Sequence, residues 1–374
     1  MPLNAWRAMF KPIIKFFCFS IFLFFSTLDG ATLLVTNLND TGAGTLRKAI
    51  NNATPYDTIQ FNSELAGTIY LNSPLPKISD SLTINGPSSQ AVTIDGNGNS
   101  IFNIKAPFVT ISKLNLSNGI RSKGGGAVVV NLNHTVTLDN LNITISEEAD
   151  GLNPLLASLD GQINLSNVTF SSTALNGVYL DGGNLAVISS NSSQVVVDGS
   201  GQVATFGSGN VEIIPTSRPL NITIIANEGP RTHFSGRTLD SVVINPGGHL
   251  YGNFTTPNVA NTGTLEPGTP TAIGTCVSTG DAYHTSEATL QIKIDPAGNT
   301  DQYLVGGALY LTGGTLTILP ENGTYTEGTV YTFLWTEGGV VGAFNTITPV
   351  PGLDFALNYH LHSIDIVIRN TSTI

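Results

Sequence analysis

Between residues 82 and 170 the chain alternates apolar and polar positions in short runs, and the runs recur. LTI begins at Leu82, VTISKLNLSN at Val109, VTLDNLNITI at Val136 and INLSNVTFSS at Ile163, a constant spacing of 27 residues. Leu82, Val109, Val136 and Ile163 form one apolar column, and Ile84, Ile111, Leu138 and Leu165 form a second. Thr83, Thr110, Thr137 and Asn164 lie between them. In the last three rows Leu114, Leu141 and Val168, then Leu116, Ile143 and Phe170, extend the pattern around Asn115, Asn142 and Thr169. Alternation marks strands with one buried face, and a fixed offset marks stacked coils. The predicted fold is all-β, a right-handed parallel β-helix (solenoid) with about three short strands per coil. A propeller needs a longer repeat of about 40 residues. Past Ile163 the register slips: VVVDG at Val195 stands 32 residues on, which implies an insertion of about five residues in a loop.

One segment breaks the pattern. In TGAGTLRKAINNA, Leu46, Ala49 and Ile50 fall at i, i+3 and i+4, a helical stripe with Asp40 and Thr41 as candidate N-caps. A solenoid ends in an open apolar interior and unpaired backbone, and such an edge needs cover. The stretch is therefore expected to be an N-terminal helical cap, with Leu46, Ala49 and Ile50 on the first coil and Arg47, Lys48 and Asn51 toward water. Together with Asp57-Thr58-Ile59-Gln60-Phe61, the VTNLNDTGAGTLRKAI line resembles the start of many exported bacterial β-helix proteins over roughly residues 33–105.

Composition adds a neutral, turn-rich surface. Only 11% of the 374 residues are charged, 41% are hydrophobic and 40 are glycine. The net charge of −11 and the scattered 15 basic residues exclude nucleic acid as a partner. Residues 1–30 carry Arg7, Lys11 and Lys15 before an uncharged core from Phe16 to Leu28, too short to span a bilayer and suited to a signal peptide cleaved near Gly30 or Ala31. Cys18 leaves with that segment and Cys276 remains alone, so no internal disulfide is expected. An uncleaved anchor is the alternative for the leader.

Candidate chemistry is sparse. The 27-residue offset aligns no two carboxylates: Asp139 meets Ser112 and Ser166, and Asp95 meets Ser122. It does align Arg121 with Glu148 and Lys123 with Asp150, two opposite-charge pairs. His360 and His362 read as one side of an alternating strand, without a third metal ligand. Asp95-Gly96-Asn97-Gly98-Asn99 invites a calcium reading, but a glycine-rich corner explains it more simply. Gly124–Ala127 and Gly306–Leu309 read as tight corners, not phosphate loops. No catalytic, cofactor-binding or metal residues are assigned, and no cofactor is expected.

From about residue 258 the texture changes to short strands separated by glycine pairs. TGTLEPG is followed by LQIKID; then Asp301, Val305, Gly307, Leu309, Gly313, Gly314, Thr315 and Leu316 recur in a fixed order. Tyr331, Thr332, Phe333 and Leu334 follow, then Gly342 and Phe344. This order resembles the C-terminal end of an autotransporter passenger, in the type V secretion family. The resemblance implies a structural segment that assists folding during export and carries no catalytic residues. The family continues into a membrane barrel of about twelve strands, and after HLHSIDIVIRN the sequence ends at Ile374. The expected organisation is a signal peptide (1–30), a capped parallel β-helix (31–257) and a passenger-C-terminal-like β module (258–374). The expected function is non-enzymatic, adhesin-like or structural, at the bacterial surface, in the outer membrane or secreted. Partners would be host or cell-surface glycans or proteins and an outer-membrane translocator supplied elsewhere. The alternative is a carbohydrate-active β-helix enzyme, a polysaccharide lyase or glycoside hydrolase, whose acids would come from Asp181, Asp198 and Glu212.

Overall fold

A computed structural model describes residues 30–119, 128–130, 134–144, 156–159, 162–166, 168–171, 178–189, 192–207, 209–215 and 221–374. The alternating segments pair in parallel, each with the strand one coil away, and build an all-β parallel solenoid. The first face carries the anticipated columns in register. Leu82 pairs with Val109, Val109 with Val136, and Val136 with Ile163. Every member of the two aliphatic columns is buried, because alternate side chains point inward and meet their equivalents from the coils above and below.

One coil shows the path. Leu82–Asn85 lies on the first face, Val92–Asp95 on the second, Phe102–Ile104 on the third, and Phe108–Ser112 returns to the first. The second face aligns Ile94, Leu116, Ile143 and Phe170. The third aligns Phe102, Val128, Leu156 and Val178. The step from Ile94 to Leu116 is shorter than the full repeat, because the corner after Gly86 is longer in the first of these coils. Asp95 therefore pairs with Ser117, and the expected Asp95–Ser122 alignment is wrong. Outward asparagines form a ladder, with Asn142 Nδ2 donating to Asn115 Oδ1 at 2.9 Å.

Past Ile163 the coils shorten. Ile163 pairs with Leu185, well before Val195 in the chain. Leu185 pairs with Val203, and Ile224, Val242 and Val259 follow on the same face, each step shorter than the repeat of the first coils. Two long strands, Val178–Ser189 and Ser192–Gly207, run around a corner without a loop, so no insertion is needed. Val195 pairs instead with Ile213 on another face. Ala282, Leu309 and Val340 complete the column, with coils that lengthen again toward the end. Pairing runs unbroken through residue 258.

The helix expected near the start is present. It spans Leu46–Asn52 (α1), with Leu46, Ala49 and Ile50 buried. Its N-cap is Thr45, whose hydroxyl accepts from the Lys48 amide at 3.2 Å; the expectation of Asp40 or Thr41 is corrected. Asp40 instead receives Arg47 at 2.6 Å. Arg47 also donates to the carbonyls of Ser73 and Pro74, so it is tied to the first coils and not turned to water.

The C-terminal end closes differently. The third face stacks Phe254, Cys276, Tyr303 and Leu334 in parallel. Ser363–Ile368 then adds antiparallel to Val330–Thr336, and Phe355–Tyr359 adds antiparallel beyond it. His360 and His362 sit in the turn of this hairpin, not on a strand. His360 pairs with Asp365 at 3.0 Å and His362 faces the Thr336 carbonyl at 3.0 Å, so the two rings serve separate partners.

Candidate functional site

The strands Asn210–Pro215, Arg231–Phe234, His249–Gly252 and Thr264–Pro267 stack on the second face. Their inward column is Val211, Thr232, Leu250 and Leu265. The two flanking columns carry polar groups. One stacks Glu212, His233, Tyr251 and Glu266; the other stacks Asn210, Arg231, His249 and Thr264. Parallel pairing thus places chemically related side chains about 4.8 Å apart along the axis.

Neighbouring groups interact rung by rung. Glu212 meets His233 Nδ1 at 3.3 Å, and Ser235 Oγ meets the other ring nitrogen at 3.0 Å. His233 stacks on Tyr251 with centroids 4.9 Å apart, and the Arg231 guanidinium lies 5.0 Å from the same tyrosine ring. Arg231 and His249 both reach Glu266 Oε2, at 2.8 and 3.0 Å. Lys293 takes Glu266 Oε1 at 3.2 Å and Asp301 Oδ2 at 3.0 Å. Its ammonium also donates to the Pro267 carbonyl. Asp301 accepts from the amides of Gly274 at 2.8 Å and Lys293 at 2.7 Å.

The electrostatics follow from burial. Desolvation alone would raise the Glu266 carboxyl; the His249 hydrogen bond and the Lys293 charge outweigh it and bring the pKa down to about 2. Burial raises the Asp301 carboxyl, against its backbone donors and Lys293. Burial likewise raises the Tyr251 phenol. A carboxyl held near 2 stays ionised at neutral pH and is a poor proton donor or acceptor there. Both its oxygens are engaged by cations or hydrogen bonds. Glu266 therefore joins coils and is not free to act as an acid or base.

The three acids considered for catalysis do not form one column. Asp181 pairs with Ser200 and Asp198 with Tyr179, so their backbones are two positions out of register. Glu212 pairs with Gln194 and His233. The Asp95–Asn99 stretch is the glycine-rich corner expected of it: Asp95 Oδ1 accepts the Asn97 amide at 2.7 Å, and Oδ2 accepts Ser117 and Asn118 at 2.9 and 2.7 Å. Asn97 and Gly98 take positive φ to make the turn. Gly306-Gly307 is also a corner, where a Cβ on Gly307 would run into the Asp281 carboxylate. The Arg121–Glu148 and Lys123–Asp150 pairs and the Gly124–Ala127 corner lie outside the described residues.

The sequence singles out Glu212 only as an acid of the enzymatic alternative, and does not point to its neighbours in this cluster. Arg231-Thr-His233 and His249-Leu-Tyr251 recur at a shorter interval than the first coils use, and Glu266 follows Tyr251 at one shorter still. A search at the offset of the first coils passes over them. No protein-family model matches the chain, and no curated protein sequence matches it.

Proposed function

We propose that this chain is an exported, non-enzymatic parallel β-helix protein, similar to an autotransporter passenger and adhesin-like or structural in role. In this reading residues 1–30 direct export and the solenoid, wound right-handed, stands at the bacterial surface, in the outer membrane or outside the cell. The α1 stripe of Leu46, Ala49 and Ile50 serves as the N-terminal cap, and residues 258–374 serve as the passenger-like closing module. An outer-membrane translocator comes from another chain.

One observation carries the reading. The densest charged cluster among the described residues is used internally, with Glu266 bound by Arg231, His249 and Lys293 across successive coils. A hydrolase or lyase needs groups whose protonation changes near working pH. A rod that must resist pulling needs coils locked to one another, and the observed pairs do that.

The test has two arms. Intact-mass measurement of protein recovered from outside the inner membrane should give a chain starting near residue 31; a full-length mass overturns the export assignment. Incubation with a panel of uronic-acid polymers and neutral polysaccharides should release no unsaturated or reducing ends. Their release would replace this reading with the enzymatic one.

A further inference from the structure

The third face of the C-terminal coils bears an outward column that the closing module does not cover. Val277 pairs with Leu304, and Leu304 with Trp335. Trp335 is 43% exposed, unusual for the largest side chain in a region where Tyr303, Tyr325 and Tyr331 are fully buried. Two depressions flank it and share Leu304 and Trp335 as lining. The larger, about 660 Å³, has Asn299, Gln302 and Thr332 on its rim. The smaller, about 340 Å³, has Ser278, Thr279 and Glu337. Together they make one groove with an indole at its middle.

The chemistry of this groove is selective. Its floor strands, Gln302–Val305 and Val330–Thr336, already pair on both sides, so a peptide cannot add as another strand. Gln302 reaches across to the Thr332 carbonyl at 2.9 Å, which fixes one amide at the rim. The lining contains no Lys, Arg or His, and its one ionisable group besides the buried Tyr331 is the Glu337 carboxylate. Charge complementarity thus disfavours anions. What remains is an apolar platform bordered by neutral amides and hydroxyls. That suits a ligand with one apolar face and many hydroxyl groups at its edge.

We propose that this groove binds a neutral oligosaccharide, one sugar ring lying on Trp335 and its neighbours in the two depressions. The proposal rests on the surface-display reading and gives that surface a ligand class. Asn299, Gln302 and Thr332 would receive the hydroxyls on one side, and Ser278 and Thr279 those on the other.

The chain has two tryptophans, Trp6 and Trp335. In the full chain carrying Trp6→Phe, Trp335 is the sole indole and its fluorescence reports on the groove directly. Titration with cello-, xylo-, malto-, galacto- and chito-oligosaccharides, and with polygalacturonate and a sulfated glycan, is the experiment. The expected result is a saturable shift of emission with at least one neutral oligosaccharide. Calorimetry should then show binding weakened at least tenfold by Trp335→Ala and several-fold by Gln302→Ala. Circular dichroism and the melting temperature of Gln302→Ala should match the parent, so a misfolded Trp335→Ala does not decide the matter alone. No saturable change with any neutral sugar, binding of the acidic polymers alone, or undiminished binding by both variants overturns the proposal. Recovery of the protein inside the cell overturns the display reading instead, whatever the groove binds.

Discussion

His284 couples the charge state of one buried ring to stability just below neutral pH. Its ring is buried among the coils, against Tyr303 at 5.5 Å between centroids. Asn261 Nδ2 faces its Nδ1 at 3.2 Å, so an amide donor meets an accepting, neutral ring. Burial lowers its pKa to about 4, from an ordinary value of 6.5. Between these values the unfolded chain binds the proton and the folded chain does not. Stability is therefore complete above pH 6.5 and falls as pH drops toward 4, by about 3 kcal/mol over the whole window at about 1.36 kcal/mol per pKa unit. About 2 kcal/mol of this is lost by pH 5. Glu266 adds its own loss only as pH falls from about 4.5 toward 2, since its folded pKa is depressed. Chemical denaturation of His284→Leu at pH 7 and pH 5 should show a much smaller difference than the parent chain. Equal slopes for the two proteins would mean that His284 is not the titrating group. Neither this histidine nor the Glu266 network was legible in the sequence. Lone His and Glu residues gain meaning only from the rung they share, and that register is set by corners whose lengths carry no apolar signal.

The elements were legible in proportion to how strictly they repeat. Four coils of constant period revealed the first face in register, since aliphatic columns tolerate little else. The shorter coils after Ile163 were misread, because Val195 is as apolar as the true partner Leu185 and nothing local distinguishes them. The α1 stripe was found correctly, yet the cap residue was not. Gly42 and Gly44 both take positive φ, and these turns carry the chain past Asp40 and Thr41 before Thr45 caps the helix. The energetic consequence is testable at this scale. Thr45→Ala should cost about 1 kcal/mol through loss of the cap, and Leu46→Ala about 2–5 kcal/mol through the cavity left under the helix. In a solenoid each coil contacts its neighbours alone, so the damage should stay local. Hydrogen exchange should quicken in Thr32–Val35 and Thr58–Phe61 while Thr289–Ile294 keeps its protection. Uniform loss along the chain would show that the ends are coupled more strongly than nearest-neighbour packing allows.

At the scale of the whole molecule the two ends pose one problem, an exposed sheet edge, and carry different elements. α1 lies at the first coil. At the other end the chain reverses: Ser363–Ile368 turns antiparallel onto Val330–Thr336, and Phe355–Tyr359 forms the outer strand. The hairpin also reaches the last strand of the first face, where the Val340 amide donates to the Leu361 carbonyl at 2.9 Å. The Tyr359 hydroxyl accepts from the Phe344 amide at 3.1 Å. A parallel stack could add further coils indefinitely, and the hairpin ends it on this face by occupying the free edge of Val330–Thr336. The strand beneath it, VYTFLWT, buries Tyr331, Phe333 and Leu334 and has the β-branched and aromatic content of a self-pairing segment. Deleting residues 354–374 should therefore leave a chain that associates end to end. Sedimentation velocity should show dimers and larger species for the deletion at concentrations where the parent stays monomeric. The pairing is expected to run through Val330–Thr336. Val330 is exposed on that strand, so Val330→Lys in the deletion background should restore the monomer without disturbing the core. A deletion that remains monomeric with native circular dichroism would mean that the edge is protected by its own twist and not by the hairpin.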